Sequence, residues 1–294
     1  MPRLSNIIGR YVYVTVDDVE YRVYYEEAEG SAGMPVLCQH TAGADGRQWR
    51  HLLEDPEIAS RYRLVAYDLP YHGKSVPPPT EEWWKQEYAL HQDWFMRFVV
   101  ALRRELELEG AVYLGCSMGG HLAPDLALHY PGEFKAVIAV EGGLATHVDE
   151  PFLKYLHHPR VSNELKGALM YTMTSPTSPE PLRRETGWVY SQGAPPVFKG
   201  DLVYYLGEHD LTDDAKDIDT SKTAVFVISG DYDWSADPTV SRALADAIPG
   251  ATYTPMIGLG HFPMSEDPVK FKGYLLPILE SLEGLESLDK VAGT

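Results

Sequence analysis

Cysteine is scarce in this 294-residue chain: only Cys38 and Cys116 occur, each inside an apolar run. A disulfide scaffold or a thiolate zinc cluster needs more, so both read as small buried hydrophobes. Basic residues are also in deficit, with 25 Lys and Arg against 43 Asp and Glu and a formal net charge of −18. Such a surface repels phosphate backbones and anionic lipid, which argues against nucleic-acid or membrane-surface binding. No apolar run approaches the ~18 residues of a membrane span. Residues 1–11 hold no stretch suited to a signal peptide, so a reducing, cytoplasmic location is the expectation. Internal repeats and low-complexity tracts are missing as well. Apolar side chain, by contrast, is plentiful: 44% of residues are hydrophobic and 11% aromatic, enough for a sizeable core and too much for a disordered or fibrous chain.

Periodicity places the elements. Residues 10–16 and 19–26 alternate Tyr and Val with polar residues around Asp17-Asp18, the pattern of a half-exposed antiparallel hairpin. Six short apolar runs follow, at 36–39, 64–67, 111–115, 136–140, 224–229 and 252–257, each of a length suited to strands buried on both faces of a parallel sheet. Helical stretches lie between them. Trp94, Phe95, Phe98, Val99, Leu102 and Leu106 recur at steps of three and four within 81–107, and further helices are expected at 118–129, 238–248 and 267–285. The chain therefore reads as α/β, with a mostly parallel central sheet and helices on both faces. Residues 144–221 break the alternation with seven prolines and no strand pattern. That is too long for a loop and reads as an inserted helical cap between two sheet strands, leaving 1–143 and 222–294 as the core domain.

The strongest chemical signal is Gly115-Cys116-Ser117-Met118-Gly119-Gly120, directly after one strand and before a helix. A nucleophile on so tight a turn has strained dihedrals, and glycines two positions either side remove the Cβ atoms that would clash. Ser117 is the expected nucleophile, standing at a helix N-terminus whose N–H groups favour a developing oxyanion. Its hydroxyl needs a base. His261, in Gly258-Leu259-Gly260-His261-Phe262-Pro263 after the last strand, opens at the same sheet edge. The other histidines weighed, at 51, 91, 121 and 129 on helices and at 157, 158 and 209 in the insertion, read as packing or surface residues. For the carboxylate that holds the base, Asp233 reproduces the chain order Ser, Asp, His; Glu141 is the alternative acid and Asp231 a third choice. The oxyanion donors expected are Met118 N–H and Ala42 N–H, with Gly43 as the fallback for Ala42.

These motifs together resemble the α/β-hydrolase fold superfamily: His40-Thr41-Ala42-Gly43 and on to Trp49, then Asp68-Leu69-Pro70-Tyr71-His72-Gly73-Lys74-Ser75, the turn at Ser117, Gly230 to Asp233, and Gly258 to Pro263, in order across nearly the whole chain. Thr41 departs from the glycine usual after that histidine. The resemblance implies a cofactor-free serine hydrolase acting on a carboxylic ester or lactone through an acyl-enzyme. It equally allows a C–C bond hydrolase of a dienol substrate, and a non-catalytic ligand receptor is the alternative from another class. In the family His72-Gly73 is a structural turn. No metal or organic cofactor is implied. Gly73-Lys74-Ser75 lacks the glycine a phosphate loop needs at 68, and Asp210, Asp213, Asp214, Asp217 and Asp219 lack a calcium loop's glycine and closing glutamate. The expected partner is a small molecule, apolar or aromatic to suit Met170, Tyr171, Met173, Trp188 and Tyr190; a homodimer is compatible with the sequence.

Overall fold

Two β-strands, β1 (Ile7–Val16) and β2 (Val19–Ala28), pair antiparallel with Val16 opposite Val19. Asp17 and Asp18 between them both take positive φ, 52° and 62°, as a two-residue turn matched to strand twist requires. The computed structural model describes residues 4–146 and 160–292. Beyond the hairpin run β3 (Met34–Gln39), β4 (Tyr62–Tyr67), β5 (Val112–Cys116), β6 (Ala136–Val140), β7 (Ala224–Gly230) and β8 (Thr252–Met256). The eight strands form one sheet in the order β1-β2-β4-β3-β5-β6-β7-β8, parallel from β4 to β8.

Because side chains alternate along a strand, each central strand feeds two cores. Tyr113 and Val137 join Phe95, Phe98, Leu122 and Leu126 on one face, against α3 (Gln92–Glu105) and α4 (Met118–His129). Leu114 and Ile138 join Trp49, Phe271, Leu275 and Leu279 on the other. That face is covered by α1 (Arg50–Leu53), α2 (Pro56–Arg61), the short α9 (Pro263–Glu266) and the last helix, α10 (Pro268–Ala292), while α8 (Pro238–Ala247) links β7 to β8. Each large side chain buried this fully contributes about 1.5–3 kcal/mol.

Two expectations change. The helix expected over 81–107 begins at Gln92; Trp83–Lys85 is a separate short turn, and Leu90 N–H donates to Gly200 O (3.0 Å), so the intervening chain is tied to the insertion. Strand β8 is an edge strand, partly exposed for most of its length rather than buried on both faces. The insertion, within its described residues, carries α5 (Glu164–Thr172), α6 (Glu180–Ser191) and α7 (Val197–Val203). Its His157 and His158 lie outside the described residues. Among the described residues, no helix is long and apolar enough to cross a membrane.

Candidate active site

Residues singled out in the sequence meet at the C-terminal edge of the parallel strands. Ser117 joins β5 to α4 with φ 56° and ψ −114°, a conformation that disfavours any side chain and is retained only under strong constraint. Close packing enforces the turn: a Cβ on Gly115 would lie 2.2 Å from Gly119 O. Ser117 N–H donates to Val140 O at 2.9 Å. His121, one turn along α4, donates Nδ1–H to Ser117 O (2.8 Å) and accepts from the Thr146 hydroxyl at Nε2 (2.7 Å). Burial and then the charge of His209 push its pKa down to about 3, so the ring is neutral.

The loop after β8 presents His261. Its Nδ1 meets Asp233 Oδ2 at 2.5 Å and Ser235 Oγ at 3.1 Å, leaving Nε2 without a hydrogen bond among the described residues. Asp233 Oδ1 also accepts from Ser235 N–H (2.8 Å) and Ala236 N–H (3.1 Å). Burial works to raise this carboxyl's pKa, but the His261 charge and these hydrogen bonds outweigh it and hold the value at about 2. Glu141, the alternative acid, is not bonded to His261: its Oε1 accepts from Gly230 N–H (2.7 Å) and its Oε2 is buried without a hydrogen-bond partner among the described residues. Burial, then the neighbouring Asp233 charge, drives its pKa well above the usual range, so Glu141 is a neutral acid. Asp231, the third choice, accepts from Gly258 N–H (2.6 Å) as a turn residue.

Ser117, His261 and Ala42 share one cavity of about 630 Å³, also lined by Met170, Met173, Phe198, Leu202, Trp234 and Val240. No direct hydrogen bond joins Ser117 Oγ to His261, a looseness common before substrate binds. Of the aromatic and Met residues singled out in the insertion, Met170, Met173 and Tyr190 line this cavity. Trp188 instead is exposed beside Arg47, and Tyr171 lies under Arg183 and Arg184. Gly43, the fallback oxyanion donor, has its N–H engaged by Asp201 Oδ2 at 2.7 Å. Thr41, where the family usually has glycine, donates both N–H and O–H to Gln48 Oε1 (3.0 Å each) and accepts from Tyr190 OH.

Sequence reasoning missed a second tier of buried polar groups. Glu266 accepts from Gly260 N–H and from Ser175 N–H (2.9 Å), joining the His261 loop to the insertion; burial raises its pKa to about 7. Histidine rings also meet in two pairs, His40 with His72 at a tilt and His121 with His209 edge to face, each with ring centroids 4.9 Å apart. His40 donates Nδ1–H to Thr41 O (2.8 Å) and accepts from Leu69 N–H (3.1 Å), so it is neutral, its pKa pushed down to about 4 by burial and by His72. His209, read as packing, indeed packs, but against the buried carboxylate of Asp125 (3.0 Å) on α4. Only the proximity of Glu266 to His261 in sequence offered a signal for any of these. Among the described residues, no group of His, Cys, Asp or Glu is arranged to hold a metal ion.

Comparison with known proteins places this arrangement. Residues 34–163 match the family described as alpha/beta hydrolase fold. A 2-hydroxy-6-oxononadienedioate/2-hydroxy-6-oxononatrienedioate hydrolase of Cupriavidus pinatubonensis is 28% identical over 137 residues, 46% of this chain and 45% of that relative, so the match spans less than half of the relative's length. A thermophilic esterase from Thermogutta terrifontis superposes with a TM-score of 0.75 at 18% identity, covering 94% of this chain and 99% of that one. The enol-lactonase from Burkholderia xenovorans superposes with a TM-score of 0.74 at 20% identity, covering 91% and 99%. With its mostly parallel eight-stranded sheet, strand order and these likenesses, the chain has the α/β-hydrolase fold.

Proposed function

We propose that the protein is a cofactor-free serine hydrolase of a neutral, predominantly apolar carboxylic ester or lactone. The reading is carried by one observation: Ser117, on its strained turn, shares a cavity with a histidine whose far nitrogen is bound by a buried, ionised Asp233. His261 Nε2 takes the proton from Ser117 Oγ as the oxygen attacks the carbonyl carbon. Asp233 holds the ring's tautomer and stabilises the imidazolium. Ala42 and Met118 N–H groups receive the oxyanion. The alcohol leaves with the proton from His261, and water, deprotonated by the same ring, releases the acid. The insertion serves as the cap over this cavity.

A C–C bond hydrolase remains the second reading, favoured by the relative named for a dienedioate. A dianion wants cationic partners, yet the described residues lining the cavity include neither Lys nor Arg, and His121 is neutral. That favours an uncharged ester or lactone. The test is incubation with a fluorophosphonate and a panel of p-nitrophenyl esters and lactones, followed by peptide mapping. Ser117 should carry the adduct, and Ser117→Ala should lose turnover by at least about 10³-fold. Turnover surviving in Ser117→Ala, or turnover of a dienol diacid alone, would overturn the assignment.

A further inference from the structure

Asp201 stands on α7 of the insertion, fully buried, with its side-chain hydrogen bonds running to residues of the 1–143 segment. Its Oδ2 accepts from Gly43 N–H at 2.7 Å and from His72 Nε2 at 2.9 Å, and its Oδ1 from Tyr88 OH at 2.9 Å. His72 Nδ1 lies 3.0 Å from Pro70 O, which can only accept. Both ring nitrogens are thus placed to donate, and although burial works to lower the His72 pKa, the charge and hydrogen bond of Asp201 outweigh it and raise the value, favouring the imidazolium. Breaking such a pair by removing one partner leaves a buried charge uncompensated, so the carboxylate is firmly held where it is.

Its third donor is the informative one. Gly43 directly follows Ala42, and its φ of 69° depends on glycine. A Cβ at Gly43 would meet Phe198 of α7 at 2.2 Å, so the insertion packs directly onto this peptide. An unengaged Gly43 N–H would be a second donor free to turn toward the reacting carbonyl. We propose that Asp201 is a positioning residue for the oxyanion hole: by fixing Gly43 N–H outward, against the charge of His72, it leaves Ala42 N–H as the donor aimed at the cavity. The turn containing His72 thereby acquires a role in catalysis, through a carboxylate supplied by the insertion. This rests on the serine-hydrolase reading above.

An oxyanion donor acts mainly in the transition state, so its displacement lowers kcat and leaves KM little changed. Asp201→Asn, in the full chain, should lower kcat on p-nitrophenyl esters by about tenfold to a hundredfold with KM within about threefold. Its affinity for a trifluoromethyl ketone, which captures the oxyanion state, should fall in parallel. Leu102→Ala, at a buried position of α3 that does not line the cavity, serves as a destabilised control that should keep kcat. If Asp201→Asn keeps kcat, or loses it only as much as the control does, the positioning role is wrong while the hydrolase stands. If the unaltered protein shows neither turnover nor fluorophosphonate labelling at Ser117, both readings fall. Should Asp201→Asn fail to fold, amide exchange in the unaltered protein decides. Gly43 N–H should exchange as slowly as the amides of β3 and β5, and rapid exchange there would overturn the proposal.

Discussion

At the scale of single residues, two buried carboxyls near the proposed base have opposite charge states. Asp233 is bound to His261 and ionised, whereas Glu141 is neutral and bound to Gly230. Asp233→Asn should therefore lower kcat by about 10³–10⁴-fold, since the amide stabilises the wrong tautomer of the ring. Glu141→Gln replaces one neutral group by another of the same shape and should keep kcat within about tenfold and cost ~1 kcal/mol or less. Steady-state kinetics on one ester with both variants decides it, and the reverse order would move the acid to Glu141. Ser117 was legible because its turn is local: glycines at 115 and 119 and the flanking strand and helix all fall within one short stretch. Asp201 was not. Its partners Gly43, Tyr88 and His72 lie 158, 113 and 129 residues away, and nothing near position 201 distinguishes it from a surface aspartate.

At the scale of elements, the strands were legible to within two or three residues at their ends, because apolar runs between turn residues admit few other structures. The start of α3 was not, since the stripe beginning at Trp94 extends backward only if the chain before it is free, and it is bonded to Gly200. The helices of the insertion were hidden by prolines, which mark their starts as readily as their ends: Pro181 lies in the first turn of α6. One contact in that insertion invites a test. Helices α5 and α6 cross with almost no space between backbones: a Cβ on Gly187 would lie 2.7 Å from Gly167 O, and one on Gly167 would lie 2.5 Å from Gly187 O. A backbone carbonyl cannot swing aside as a side chain can. Gly187→Ala should cost about 1–3 kcal/mol, read as a lower urea midpoint. By pushing α5 outward it should also enlarge the cavity at Met170 and Met173 and raise KM for small esters. An unchanged midpoint would mean the helices separate freely.

At the scale of the whole molecule, stability against pH reports on groups that tie its parts together. Glu266 joins the His261 loop to the insertion, and its pKa rises from an ordinary 4.5 to about 7 on folding. The folded state then binds the extra proton between these values. This contribution is full below pH 4.5 and is lost as pH rises through 7. Relative to Glu266→Gln, which cannot titrate, the unaltered protein should lose stability across that window, by at most about 1.4 kcal/mol per pH unit. Urea unfolding of both proteins from pH 4.5 to 7.5 measures it, and a constant difference would rule the titration out. Depth of burial has another outcome at Cys38 and Cys116, both fully enclosed in the sheet, with thiols whose pKa burial raises far above that of free cysteine. Neither sulfur can meet a water-borne alkylating agent while the strands stay zipped. The pair is thus a native gauge: the pace at which iodoacetamide marks the chain in plain buffer reports how often the strands around these sulfurs open.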